Sequence, residues 1–122
     1  MSGKPRLFTE TPLFRDTYNI SLTLFKLTTR FSKQFKYTLG QRIIDCSLEL
    51  IDLLYKSNTC KSKEDKLEYI EKFINLQELL KIHIRLSEEL GAIPRSSLTN
   101  VHLGLDNIGK QIHGLKRFTV AK

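Results

Sequence analysis

Residues 98–115 read LTNVHLGLDNIGKQIHGL, and the spacing of the apolar residues in this stretch decides which fold the chain can adopt. These residues recur at alternating steps of three and four, which places them along one face of a helix. An average repeat of about 3.5 residues is the pattern that a helix needs to pack lengthwise against other helices. The stretch therefore predicts one helix of a bundle. The residues of this apolar seam are Leu98, Val101, Leu105, Ile108, Ile112 and Leu115.

A first helix is predicted near the start of the chain. Thr11 is its expected N-cap, and Pro12 lies in the first turn, where the missing backbone N–H costs little. The helix is expected to end near Phe31. Its apolar stripe, read from helical spacing, consists of Phe14, Tyr18, Leu22, Phe25 and Thr29.

Two further helices are predicted between the first helix and the seam. Thr38 and Gln41 have the spacing of a capping box, so the second helix should begin at Thr38 and run to about Asn58. The third helix should begin with Ser62 as its cap and end at Gly91. A second apolar set on this third helix predicts burial on two sides, by a wide core or by a neighbouring subunit. This set consists of Leu76, Leu79, His83, Leu86 and Leu90.

Four amphipathic helices with short connections predict an all-α protein, an antiparallel up-down-up-down four-helix bundle. The expected organisation is a flexible basic tail over residues 1–10, the bundle over 11–118 and a C-terminal tail over 119–122. No apolar run approaches the roughly 18 residues of a membrane span, and the N-terminus lacks the pattern of a signal peptide. We therefore expect a cytoplasmic protein with no membrane partner.

The sequence predicts no catalytic residue, no metal site and no cofactor. Gly104–Lys110 matches the first seven positions of a phosphate-binding P-loop, but Gln111 replaces the required Ser or Thr, and the segment lies inside a helix. The histidines lack metal-ligand spacing. The two cysteines would lie about 20 Å apart along one helix, too far for a disulfide.

The net charge of +7 is unevenly distributed along the chain. Residues 1–37 and 92–122 are strongly basic, whereas 63–91 are slightly acidic. The excess indicates either a solvated basic surface or a patch for a polyanion, formed where the first and last helices lie side by side. Phe35, Tyr37 and Phe118 could stack on bases or could cover the core at helix ends. The candidate phosphate contacts are Lys26, Arg30, Lys33, Lys36, Arg42, Lys110, Lys116 and Arg117.

Four sequence blocks resemble a known family. They are Leu24–Phe25 with Thr29–Phe31, FKYTLGQ at 35–41, LYKSN at 54–58, and IGKQIHG at 108–114. Over about residues 12–117 the chain resembles the four-helix bundle proteins that include the accessory variability determinant of diversity-generating retroelements. Related bundles are encoded within bacterial rRNA intervening sequences.

The resemblance implies a homopentameric barrel with a positively charged surface. It also implies association with a reverse transcriptase and with template RNA or cDNA, in support of mutagenic cDNA synthesis. Five chains at +7 would give one particle a charge of +35, so that modest basic stripes merge into one field. The alternative is a structural or protein-interaction bundle of the intervening-sequence type, whose basic charge serves solubility.

Overall fold

The computed structural model describes residues 7–122, and over this range it contains four long helices and no strand. Each helix packs on the next along the chain, and the last also packs on the first, so that the four helices enclose one core. The predicted all-α four-helix architecture is confirmed. The helices are α1 (Pro12–Thr28), α2 (Gln41–Thr59), α3 (Lys63–Glu89) and α4 (Thr99–Ala121).

The predicted seam of α4 lies at the centre of the core. The five seam residues Leu98, Val101, Leu105, Ile108 and Ile112 are each at most 2% exposed. Leu115, the last residue of the seam, is partly buried against the same cluster. Leu105, Ile108 and Ile112 are completely buried. The heptad spacing therefore identified the side of α4 that the other helices cover.

A buried glutamine and two glycines hold α4 close to its neighbours. The Gln77 side chain on α3 is buried and donates a hydrogen bond from Nε2 to the backbone carbonyl of Leu105. A Cβ atom at Gly109 would lie 3.6 Å from Gln77 Nε2, and one at Gly104 would lie only 2.7 Å from Ile20 Cδ1 on α1. The missing side chain at Gly104 is what lets α1 approach α4.

Three predicted helix ends are confirmed. Thr11 accepts a hydrogen bond from the Phe14 N–H through its hydroxyl, at 3.4 Å, and Pro12 occupies the first helical position. Ser62 accepts from the Asp65 N–H at 3.0 Å and caps α3. Gly91 ends the same helix at φ 71°, a left-handed conformation that favours glycine.

The predicted capping box at Thr38 is wrong. After α1 the chain takes an extended step at Ser32, then forms a helical turn at Lys33–Phe35 and a π-helical turn at Lys36–Gly40 that runs directly into α2. Thr38 therefore lies on helical backbone. Its hydroxyl donates to the carbonyls of Gln34 and Phe35, both at 3.3 Å, instead of accepting from a free N–H.

The apolar stripe predicted for α1 is not its core face. Tyr18, Leu22 and Phe25 are 48%, 45% and 43% exposed. Periodicity alone could not separate the two faces, because α1 carries apolar residues on both and small hydroxyl residues complete the buried one. Thr17 and Thr28, for example, are buried with their hydroxyls donating to carbonyls of the preceding turn. The buried face consists of Thr17, Ile20, Ser21, Leu24, Leu27 and Thr28.

The chain ends depart from the expected tails. Residues 1–6 of the expected basic tail lie outside the described residues, whereas Phe8–Glu10 form a short 3₁₀ turn. The Phe8 ring packs on Phe14, with ring centroids 4.9 Å apart. Helix α4 continues to Ala121, and Thr119 is buried, so the bundle extends beyond residue 118.

Gly104 and Gly109, two of the three glycines of α4, should respond oppositely to replacement by alanine. Gly109→Ala should raise the free energy of unfolding by about 0.5–1 kcal/mol, because alanine favours a helix over glycine and its Cβ makes an ordinary contact. Gly104→Ala should be at least about 1 kcal/mol less stable than Gly109→Ala, because its Cβ overlaps Ile20. Urea unfolding followed by far-UV circular dichroism measures both. Equal gains would contradict the close approach of α1 and α4.

Candidate nucleic-acid interface

Five of the eight predicted phosphate contacts lie at one end of the bundle, where α1 passes into α2. They come from the last turn of α1, the bend just after its end, the two short helical turns that follow, and the first turn of α2. Four of them are exposed, and the side chain of Lys36 is partly exposed. We call this set the junction cations: Lys26, Arg30, Lys33, Lys36 and Arg42.

The junction is anchored from beneath by buried residues. Phe31 is 6% exposed and belongs to the core, so the chain is pinned at the point where it leaves α1. Gly40 is buried beside it, and a Cβ atom there would lie 3.5 Å from the Phe31 ring. Because the apolar contacts of the two short turns point inward, their basic side chains are left on the surface.

The junction cations have no carboxylate partner among residues 7–122: no salt bridge in this range involves any of them. The salt bridges of lysine and arginine lie instead on α3, α4 and the connection between them. The positive charge at the junction is therefore not neutralised by an ion pair, whereas part of the charge on α3 and α4 is. The pairs are Lys72–Glu68, Lys81–Glu78, Lys81–Asp106, Arg85–Glu89, Arg95–Glu88 and Lys116–Glu71.

The other three candidates lie far along the bundle from the junction. Phe31 and Leu98 line the same small cavity, so the start of α4 is level with the junction. At the rise of an α-helix, Lys110 lies about 18 Å further along α4, and Arg117 about 28 Å. Helices α1 and α4 do lie side by side, but their basic residues occupy opposite halves and form two groups.

The group on α4 has mixed charge. Lys116 Nζ is 2.7 Å from Glu71 Oε2 and is thereby neutralised. Lys110 and Arg117 line a shallow cleft together with the carboxylates of Glu78 and Asp106. The junction is consequently the more strongly positive of the two groups at short range.

An aromatic cleft lies beside the junction cations. Tyr37 is 73% exposed and therefore does not cover the core, whereas Phe35 is partly buried against it. The sequence pattern placed Tyr37 near the basic residues. It could not show that Tyr37 shares a cleft with residues of α1 and α2, because the cleft depends on the conformation of the turn between these helices. The cleft is lined by Phe25, Thr28, Thr29, Lys36, Tyr37, Gln41 and Ile44.

Residues 7–122 leave two apolar faces uncovered, one on each side of α2. The first apolar face spans α1 and α2, which are joined by a hydrogen bond from Ser21 to the Ser47 carbonyl; it consists of Tyr18, Leu22, Leu48 and Tyr55. The second lies on α3 beside α2 and is the second set that the sequence predicted. Its exposed members are Leu79, Leu86 and Leu90, with His83 partly buried between them.

Cys46 and His83 meet where α2 packs on α3, with Cys46 Sγ 3.8 Å from His83 Nδ1. Burial raises the pKa of the Cys46 thiol, which keeps it protonated and is the opposite of what a cysteine nucleophile needs. Burial and the nearby Arg42 guanidinium lower the pKa of His83. The pair therefore has the character of a neutral structural contact.

Within residues 7–122 no three His, Cys, Asp or Glu side chains are grouped so as to hold a metal ion. None of the helices described there is long and apolar enough to cross a membrane.

The lowered pKa of His83 should make folding stability depend on pH. The unfolded chain takes up this proton first, so stability should fall as the pH drops through about 6.5 and then through the lower pKa of the folded state. His83→Gln should lose less free energy of unfolding than the wild type between about pH 7.5 and about pH 5.5, at fixed protein concentration. His113→Gln, at an exposed position, serves as the control. If the free energy of unfolding depends on pH equally in both variants, the lowered pKa of His83 is not the cause of the pH dependence.

Comparison with known proteins agrees with the resemblance seen in the sequence. A family model described as bAvd-like matches residues 14–119, a range that includes parts of all four long helices. No curated protein matches the chain. Since the matched range covers most of the 122 residues and the fold is a four-helix bundle, the chain belongs to the bAvd-like family.

Proposed function

We propose that this protein is a non-enzymatic accessory subunit of a diversity-generating retroelement, which binds template RNA or cDNA and associates with the reverse transcriptase in the cytoplasm. The junction cations carry the proposal: five basic side chains lie at one end of an Avd-like bundle without a salt bridge among the described residues. Such a surface attracts phosphates by releasing counterions, irrespective of sequence. That property suits a protein that must follow a template of changing sequence.

A role without catalysis is supported by the chemistry of the contact between Cys46, which is buried, and His83, which is partly buried. The Cys46 thiol is kept protonated, and His83 beside it has a lowered pKa. An enzyme that uses a cysteine nucleophile requires a thiolate, which an electropositive and partly exposed setting would favour. The contact instead stabilises the packing of α2 on α3.

We also propose that the subunit forms a homopentameric ring. A ring requires a heterologous interface, in which one surface of each copy contacts a different surface of the next. The two apolar faces satisfy this requirement, because they differ in composition and lie on either side of α2. The ring would bury both faces and repeat the junction cations five times.

Reversing two junction charges should weaken nucleic-acid binding. Arg30→Glu with Lys33→Glu should lower affinity for a single-stranded RNA more than tenfold at about 50 mM salt, because two phosphate contacts become repulsive. The slope of log affinity against log salt should flatten by about 1.4, at about 0.7 for each lost contact on a single strand. Fluorescence anisotropy over a salt series measures both quantities.

The matched control carries the same change in charge at the other end of the bundle. Lys56 and Lys61 are exposed lysines near the turn between α2 and α3, and Lys56→Glu with Lys61→Glu should affect affinity much less. Equal losses in the two double variants would show that net charge alone matters and that the junction is not the site. If the wild type does not bind RNA at this salt concentration, the protein is a structural or protein-interaction bundle.

Blocking one apolar face at a time should test the ring. Leu48→Glu and Leu86→Glu each place a charge on one face, at side chains that are equally exposed, and each variant alone should be monomeric. Mixed together they should form a dimer of about 28 kDa, twice 14.2 kDa, because the mixture contains one intact face of each kind. The wild type should have a mass of about 71 kDa, five times 14.2 kDa, by light scattering.

Leu103→Glu is the control for this experiment, since Leu103 is exposed but lies outside both faces. This variant should remain pentameric. Failure of the two monomeric variants to combine would exclude a heterologous contact between the two faces. Far-UV circular dichroism confirms that each variant is folded.

A further inference from the structure

The cleft beside the junction cations combines flat aromatic walls with polar and basic groups. Phe25 and Tyr37 both line it, and both rings are exposed to solvent. The Gln41 amide and the Thr29 hydroxyl also line the cleft, as does Lys36.

Tyr37 differs from the other exposed tyrosines in making no ring–ring contact with another aromatic residue in the described part of the chain. Tyr18 stacks on Phe14, with centroids 5.9 Å apart, and Tyr55 packs edge-on against Phe8 at 6.3 Å. Tyr37 has no such contact within residues 7–122 and is the most exposed of these three rings. Its ring therefore adds little to the folded core and is free to contact a ligand.

We propose that this cleft binds an unpaired nucleobase by stacking it on Tyr37, so that the protein prefers single-stranded nucleic acid to duplex. The inference rests on the proposed function and adds a class of substrate to it. Every base has a flat π surface, so aromatic stacking tolerates any sequence, and a base in a duplex cannot offer that surface. The Gln41 Nε2 donates to Asp45 Oδ1 at 3.0 Å, and the Thr29 hydroxyl donates to the Lys26 carbonyl at 2.7 Å. The side-chain oxygens of these two lining residues therefore remain as acceptors for a hydrogen bond from a base.

The charges around the cleft favour a polyanion over a second copy of this chain. Arg30 and Lys33 belong to the same short junction as Lys36 and Tyr37, so they can hold phosphates that flank a stacked base. Another copy would bring a further charge of +7 to a surface that is already positive. A second copy of the chain would bind better at the two apolar faces described above than at this positively charged cleft.

Removing the Tyr37 ring tests the stacking directly. Tyr37→Ala should weaken binding of a uridine oligomer of about 20 nucleotides by about 5- to 100-fold, the range found for loss of one base–aromatic stack. Binding of an RNA duplex of the same length should change less than about twofold, because the duplex uses phosphate contacts alone. Tyr37→Phe keeps the ring and should bind the oligomer as the wild type does. Phe118→Ala removes an exposed ring from the last helix and is the matched control.

A spectroscopic readout separates stacking from general loss of affinity. The chain contains no tryptophan, so Tyr37→Trp introduces a single indole fluorophore. Its fluorescence should be quenched when the uridine oligomer binds and should remain unchanged when the duplex binds. Phe118→Trp should show no quenching with either ligand. Quenching at both positions, or at neither, would overturn the stacking site.

The remaining outcomes distinguish this inference from the function on which it rests. If Tyr37→Ala binds the oligomer like the wild type while Arg30→Glu with Lys33→Glu does not, the stacking site is wrong and phosphate binding stands. Absence of any RNA binding by the wild type would remove the proposed function as well. If Tyr37→Ala reduces the mass of the particle, Tyr37 is a subunit contact and the inference fails.

Discussion

The buried seam of α4 is the constraint on which the rest of the structure depends. Leu105, Ile108 and Ile112 are completely buried, and full burial of a side chain of this size contributes about 1.5–3 kcal/mol. Helices α1 and α3 pack against this seam, and Gly104 and Gln77 set how closely they approach. These contacts fix the orientation of α4. They thereby decide which surfaces of the other helices stay exposed to solvent or to partners.

This assignment separates the molecule into regions of different chemistry. Helices α3 and α4 carry alternating charges that pair with each other, whereas the junction between α1 and α2 carries cations without carboxylate partners among the described residues. Two groups of apolar residues that the core does not use lie on either side of α2. Phosphate binding and self-association can therefore use different surfaces of one small bundle.

The proposed ring would combine self-association with phosphate binding. A single junction offers five positive charges, a modest surface for a polyanion, but a ring repeats it at regular intervals and produces a field of longer range. A base bound at one cleft would then be held near further cationic sites, which raises the effective concentration of the strand at the next one.

The sequence by itself determined the helical content, the seam, the caps at Thr11 and Ser62 and the turn at Gly91, because each depends on residues within a few positions of one another. Only the tertiary structure decided which face of α1 is buried, since two faces carry apolar residues and neighbouring helices choose between them. It also separated the basic residues of α1 and α4 and brought Phe25 to Tyr37. These residues lie on different segments of the chain, and the spacing of residues within one helix carries no information about its distance from another segment.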